Sequence, residues 1–333
     1  MTMDMSGMDL SGPLTWGRLF SSWSLHTGWL LAAVVMMAGY QLCWRPARKH
    51  GTHVRPWRAV CFHAGSFLMW ASIASGIGAY AMSLFWVHMV LHLILIMVVP
   101  ALLVLGHPLT VLVGAAGGED SWFGRGLRSR PVGVITHPIT GVVVYAVVII
   151  YTHLTGFMDR MAMNMTLMTT EEVAYVAAGY LLFLPLLGEE PIRSRAPYLV
   201  RLVVFLIAMV PDTLVGVVLL QSSTNPYPMM MSMHPAWAPN AVHDVHIAGG
   251  LMWAVGDGLM MIMSVGLMIS VITSPSRQTH MTGAWLDSIR AGAIAHGGRD
   301  DDAAVVADPD SDEALEAYNA MLARMAAQDE HGH

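Results

Sequence analysis

The sequence predicts an all-α integral membrane protein: a seven-helix transmembrane bundle with its N-terminus outside and its C-terminus in the cytosol. Three observations predict it. Of 333 residues, 55% are apolar and 12% charged, and that charge fraction is about half the usual value for a soluble domain. The apolar residues come in uninterrupted blocks long enough to cross a bilayer, which takes roughly 20 residues as a helix. Lysine and arginine collect in alternate connections between the blocks, and that asymmetry sets orientation. The net charge of −6 gives no reason to expect a nucleic-acid partner.

In chain order, residues 1–23 read as an outer Met-rich tail. They are polar and lack a basic n-region, so no removable signal peptide is expected. The membrane domain, 24–273, holds spans at about 24–44, 57–80, 83–105, 133–154, 170–187, 198–220 and 246–272. The connection after the first span carries Arg45, Arg48, Lys49, Arg55 and Arg58, and that after the third carries Arg125, Arg128 and Arg130. Arg193, Arg195 and Arg201 follow the fifth; Arg277, Arg290, Arg299 and Arg324 follow the seventh. The opposite side has Arg18 and Arg160 alone. Cys43 and Cys61 flank the first inner loop, where thiols stay reduced, so no disulfide is expected. Pro100 and Pro185 are expected to kink the third and fifth spans. The loop from Gly106 begins apolar and is expected to dip back toward the membrane. Residues 274–333 are acidic and aromatic-poor, the composition of a mostly disordered cytosolic tail. Within them Leu315, Tyr318, Leu322 and Met325 keep a helical spacing.

The chemistry gathers at the outer face. His88 and His92 lie four apart at the start of span three, so a helix puts both on one face. Span four exits with His153. Span five enters with Met168 and Glu172, again four apart, with Glu171 beside them; span seven enters with Asp244 and His246. Imidazole, thioether and carboxylate together suit copper, and thioether selects Cu(I). Of 28 methionines, 13 fall in three outer segments: Met1, Met3, Met5 and Met8; Met158, Met161, Met163, Met165 and Met168; Met229, Met230, Met231 and Met233. Methionine in polar loops is not explained by core filling, so these segments read as copper-gathering. Zinc fits less well, because no cysteine faces this side. Deeper in the spans lie Asp212, Asp257 and His63. Ionisable groups at such depth face the interior and mark a pathway or a relay, or are held neutral by a single hydrogen bond.

Several stretches resemble one family. WVHMVLHLILIMVVPALLVLGHPL resembles the third-helix motif of the CtaG-type assembly proteins of caa-type cytochrome c oxidase, and HPITGVVVYAVVIIYTHLTGFMD resembles their next helix, ending here in His153. TEEVAYVAAGYLLFLPLLGEEP and DVHIAGGLMWAVGDGL resemble the fifth and seventh helices. The resemblance runs from about Ser83 to Ile272 and implies a role in fitting copper to oxidase subunits at the outer face. In the family pattern the fifth helix opens with two histidines four apart; this chain has Met168 and Glu172 there.

The reading is therefore a copper-handling assembly factor, not an enzyme, in the bacterial plasma membrane. Its expected metal ligands are His88, His92, His153, Met168, Glu172, Asp244 and His246. Its expected partners are cytochrome c oxidase subunits, membrane lipid and a soluble outer copper chaperone. Two alternatives stand beside it: a copper permease carrying metal past Asp257 and His63, and a b-type haem protein using His92 and His153.

Overall fold

The structure is a computed structural model that describes residues 12–193, 196–273 and Asn319. Among these residues all regular structure is helical. The chain divides into a compact unit, Met1–Val265, and a second, Gly266–His333; the site residues lie in the first. Met1, Met3, Met5 and Met8, and the helical spacing of Leu315, Tyr318, Leu322 and Met325, lie outside the described residues.

Among the described residues, five helices are long and apolar enough to cross a membrane: Thr27–Lys49, Phe85–Ala115, Met165–Leu187, Tyr198–Leu220 and Ala241–Ser270. The two other expected spans are helical but shorter. Residues 57–80 form Pro56–Ala74, and Ser75 then closes that helix and caps a separate one, Gly76–Ala81. Residues 133–154 break at His137, because proline starts a helix more readily than it continues one, leaving Pro138–Leu154 at 17 residues. The Tyr198–Leu220 helix exposes Leu199, Val203, Leu206, Val210, Leu214 and Val218 along one face. Such a continuous apolar face is stable against hydrocarbon, not water.

The bundle is built around the Phe85–Ala115 segment, 72% of whose apolar window is buried against 11% for Thr27–Lys49. It is not one regular helix. Pro100 has no N–H for the Ile96 carbonyl four residues back. The chain answers with a π-helical turn at Ile94–Val98, in which the Val99 N–H reaches five residues back to the Ile94 carbonyl. The expected effect of Pro100 thus takes the form of a widened turn. Gly179 of the Met165–Leu187 helix fits against the freed Ile96 carbonyl, where a Cβ would collide with that oxygen and with Pro100. This crossing fixes how the Met165–Leu187 helix sits on the histidine-bearing helix, two turns from Glu171.

A second close crossing joins Tyr198–Leu220 to Ala241–Leu251. A Cβ on Gly249 would lie 2.7 Å from the Gly216 carbonyl oxygen, so the two backbones touch. At the other end of the bundle the loop after Leu105 turns at His107, at φ 53°, into the helix Pro108–Ala115. That helix packs on Thr27–Lys49. Its first turn is held by Glu190, which accepts from the Leu109 and Thr110 N–H groups at 3.1 and 2.8 Å. Burial pushes the Glu190 pKa up to about 7, against these hydrogen bonds and the nearby Arg58, which act the other way.

Candidate metal centre

The helix Phe85–Leu93 starts at a carboxylate from another helix. The N–H groups of Phe85 and Trp86 both donate to Asp244, at 2.9 Å each, and His234 Nε2 lies 3.2 Å from the same carboxylate. Asp244 is fully buried. It does what an N-cap side chain does, satisfying free N–H groups and opposing the positive end of the helix dipole. Asp244 is thus engaged in holding the histidine helix, in place of the ligand role expected for it.

His88 and His92 follow on that helix, and both are buried. Their ring centroids are 4.0 Å apart. Glu171, on the first turns of Met165–Leu187, points at both: its Oε2 is 3.5 Å from His92 Nε2 and 3.9 Å from His88 Nε2. One ligand atom from each of the three lies within 4.8 Å of the others. These separations exceed the 2.7–3.2 Å of a hydrogen bond. They approach the roughly 3.4 Å between donors around a tetrahedral ion with bonds of about 2.1 Å. Tyr175, one turn after Glu171, lays its ring 4.1 Å from that of His92 and restricts its orientation.

His153, at the end of Pro138–Leu154, closes a further side. Its Nδ1–H donates to the Ile149 carbonyl at 2.9 Å, which leaves the Nε2 lone pair free. Among the described residues, that Nε2 is buried without a hydrogen-bond partner, as are both nitrogens of His88, Nδ1 of His92 and Oε1 of Glu171. Each buried polar atom left unpaired costs roughly 1–3 kcal/mol, and a ligand taken by His88 Nε2 and His153 Nε2 would relieve part of that cost. The ring centroids of His92 and His153 are 5.4 Å apart.

A cavity of about 60 Å³ adjoins the cluster; His26, Met82, Met168 and Glu172 share its walls with His88, His92 and Glu171. Met168 is therefore at the site, on its wall. Glu172, on the wall of the same cavity, accepts from Trp29 Nε1 at 2.8 Å. His246 is occupied elsewhere, its Nε2 2.8 Å from the Ser222 carbonyl oxygen. The structure thus gathers His88, His92, His153 and Met168, puts Glu171 where Glu172 was expected, and uses Asp244 and His246 for other contacts. His26 was not anticipated; its signal is its place immediately before the first long helix.

The outer methionines divide. Met158, Met161, Met230 and Met231 are buried, where the Phe157–Ala162 helix packs on the turn at Met230–Met233. Asp159 pins that turn by accepting from the Met229 and Met230 N–H groups. These four fill a small core of their own, contrary to the reading that core filling does not explain them. Met163, Met165 and Met229 stay exposed.

The fold and site define a class: a multi-pass helical membrane protein with a buried imidazole–carboxylate cluster near one end of its helices. Within it, the chain belongs to the family described as cytochrome c oxidase caa3 assembly factor (Caa3_CtaG), which matches residues 38–274. It is similar to uncharacterized proteins of Mycobacterium bovis and Mycobacterium tuberculosis, each 27% identical over 330 residues, covering 96% of this chain and 47% of the relative. An uncharacterized protein of Mycobacterium leprae is 26% identical over 332 residues, with the same shares covered. The chain spans about half the length of these curated relatives. No solved structure matches it.

Proposed function

We propose that this protein is a seven-span assembly factor of the bacterial plasma membrane that holds copper on His88, His92 and Glu171 and passes it to a cytochrome c oxidase subunit. The observation that carries the reading is the cluster itself: three buried ligand groups too far apart to bond each other and close enough to share one ion. His153 supplies a fourth donor, the third nitrogen of the set, and Met168 on the cavity wall supplies the soft donor that favours Cu(I). The Lys/Arg asymmetry supports having this end of the bundle outside the cell, within reach of a soluble copper carrier and the oxidase subunit. Family membership supports the oxidase as partner. The haem alternative is poorly supported, since a cavity of about 60 Å³ is far below the several hundred Å³ of a cofactor pocket. Neither does His63 favour a copper path inward, because both its nitrogens are engaged, by the Ala59 carbonyl and by Gln41.

The test is oxidase maturation. In cells with limiting copper, His92→Ala should lower oxidase activity and oxidase copper content while the variant accumulates in the membrane. Met168→Ala should give a milder loss that added copper partly restores. Full oxidase activity in a His88→Ala, His92→Ala double variant at limiting copper would overturn the proposal.

A further inference from the structure

A second group of buried polar side chains lies deeper in the bundle and includes none of the proposed metal ligands. Asp212, in Tyr198–Leu220, is buried, and its Oδ2 accepts from the Tyr145 hydroxyl at 2.7 Å. The next residue, Thr213, donates its hydroxyl to Asp257 Oδ2 at 2.6 Å. Asp257 follows the π-helical turn Met252–Gly256 and is half-buried. Gly256 lies against Asp212, where a Cβ would be 3.8 Å from the Asp212 Cβ, and the two carboxyls interact electrostatically. Asp212 Oδ1 and Asp257 Oδ1 are both buried without a hydrogen-bond partner among the described residues. The groups acting on these carboxyls are Tyr145, Thr213 and each other, with Tyr175 beyond Tyr145; among the described residues no cation is one of them.

A second negative charge beside the buried Asp212 carboxyl in a low-dielectric interior is costly, so the pair favours binding a positive charge. The donors are oxygen throughout, which does not suit copper. The carboxyls offer two unpartnered oxygens, far short of the about six oxygen ligands that a hard metal ion takes. We propose that Asp212 and Asp257 form a proton-binding site in which Asp212 stores a proton and the more exposed Asp257 is the group through which it exchanges. The site stands independently of the copper reading, since it touches none of the proposed ligands.

Infrared spectroscopy of the full protein in lipid vesicles tests this. At neutral pH the wild type should show a carbonyl band of a protonated carboxylic acid that Asp212→Asn removes. Tyr145→Phe keeps the carboxyl and should shift the same band by removing its hydrogen bond, which covers the case in which Asp212→Asn fails to fold. In heavy water the band should exchange at least tenfold more slowly in Asp257→Asn than in wild type. The absence of the band at neutral pH, its loss on adding sodium, or an exchange rate unchanged in Asp257→Asn would each overturn the proposal.

Discussion

Glu171 and Glu172 are adjacent in sequence, equally acidic and both buried, yet they should behave differently towards metal. A helix turns about 100° per residue, so neighbours face different elements. Glu171 reaches His92 Nε2 at 3.5 Å, whereas Glu172 accepts from Trp29 Nε1 at 2.8 Å. Glu171→Gln removes the only charged donor of a three-ligand set. Changing a residue that merely supports a ligand typically costs 10–100-fold in affinity, so loss of a ligand should exceed about 100-fold, or roughly 2.7 kcal/mol. Glu172→Gln keeps an oxygen for Trp29 and should change affinity less than about threefold, under ~0.7 kcal/mol. The assay is competition for Cu(I) between the detergent-purified protein and a chromophoric chelator at fixed pH. Equal losses in the two variants, or a larger loss in Glu172→Gln, would show that the ion is not held where the distances put it.

Three further outcomes follow from the same geometry. Asp244→Ala should destabilise the protein by roughly 2–4 kcal/mol, because it strands the Phe85 and Trp86 N–H groups in a buried place; thermal unfolding in detergent measures it, and Asp244→Asn should recover part of the loss. Gly179→Ala should cost ~1–3 kcal/mol through collision with the Ile96 carbonyl, and should also weaken copper binding although no ligand has changed. Glu190→Gln should flatten the pH dependence of thermal stability: the folded-state pKa of about 7 lies above the ordinary 4.5, so the wild type loses on the order of 3 kcal/mol as pH rises through that interval, and a Gln variant with the same slope would show that Glu190 is not the cause.

Much of the fold is visible in the sequence because hydrophobic runs and prolines act locally. The run containing His88 and His92 stands out as the central helix, and Pro100 marks where it is irregular. The site is only half visible. A spacing of four puts His88 with His92 and pairs Met168 with Glu172, but the buried face is wider than that pair and also takes in Glu171 and Tyr175. Which face turns inward depends on Gly179 meeting a carbonyl freed by a proline 79 positions earlier, a contact that no local pattern encodes. Asp244 is a similar case. A carboxylate at a helix start reads as a ligand or a cap for its own helix, whereas it caps another one, 159 residues earlier in the chain. The methionine loops mislead for a different reason: a short helix and a turn pinned by Asp159 create a small core where the sequence shows polar connections.

Copper bound by the purified protein, measured by elemental analysis together with X-ray absorption at the copper edge, bears on the proposed centre without any cellular step. One copper per chain is expected, with imidazole scattering from at least two histidines, and the His88→Ala, His92→Ala double variant should lose both the metal and that signal. Undiminished copper in the double variant, with imidazole scattering intact, would mean that the buried cluster is not the copper site.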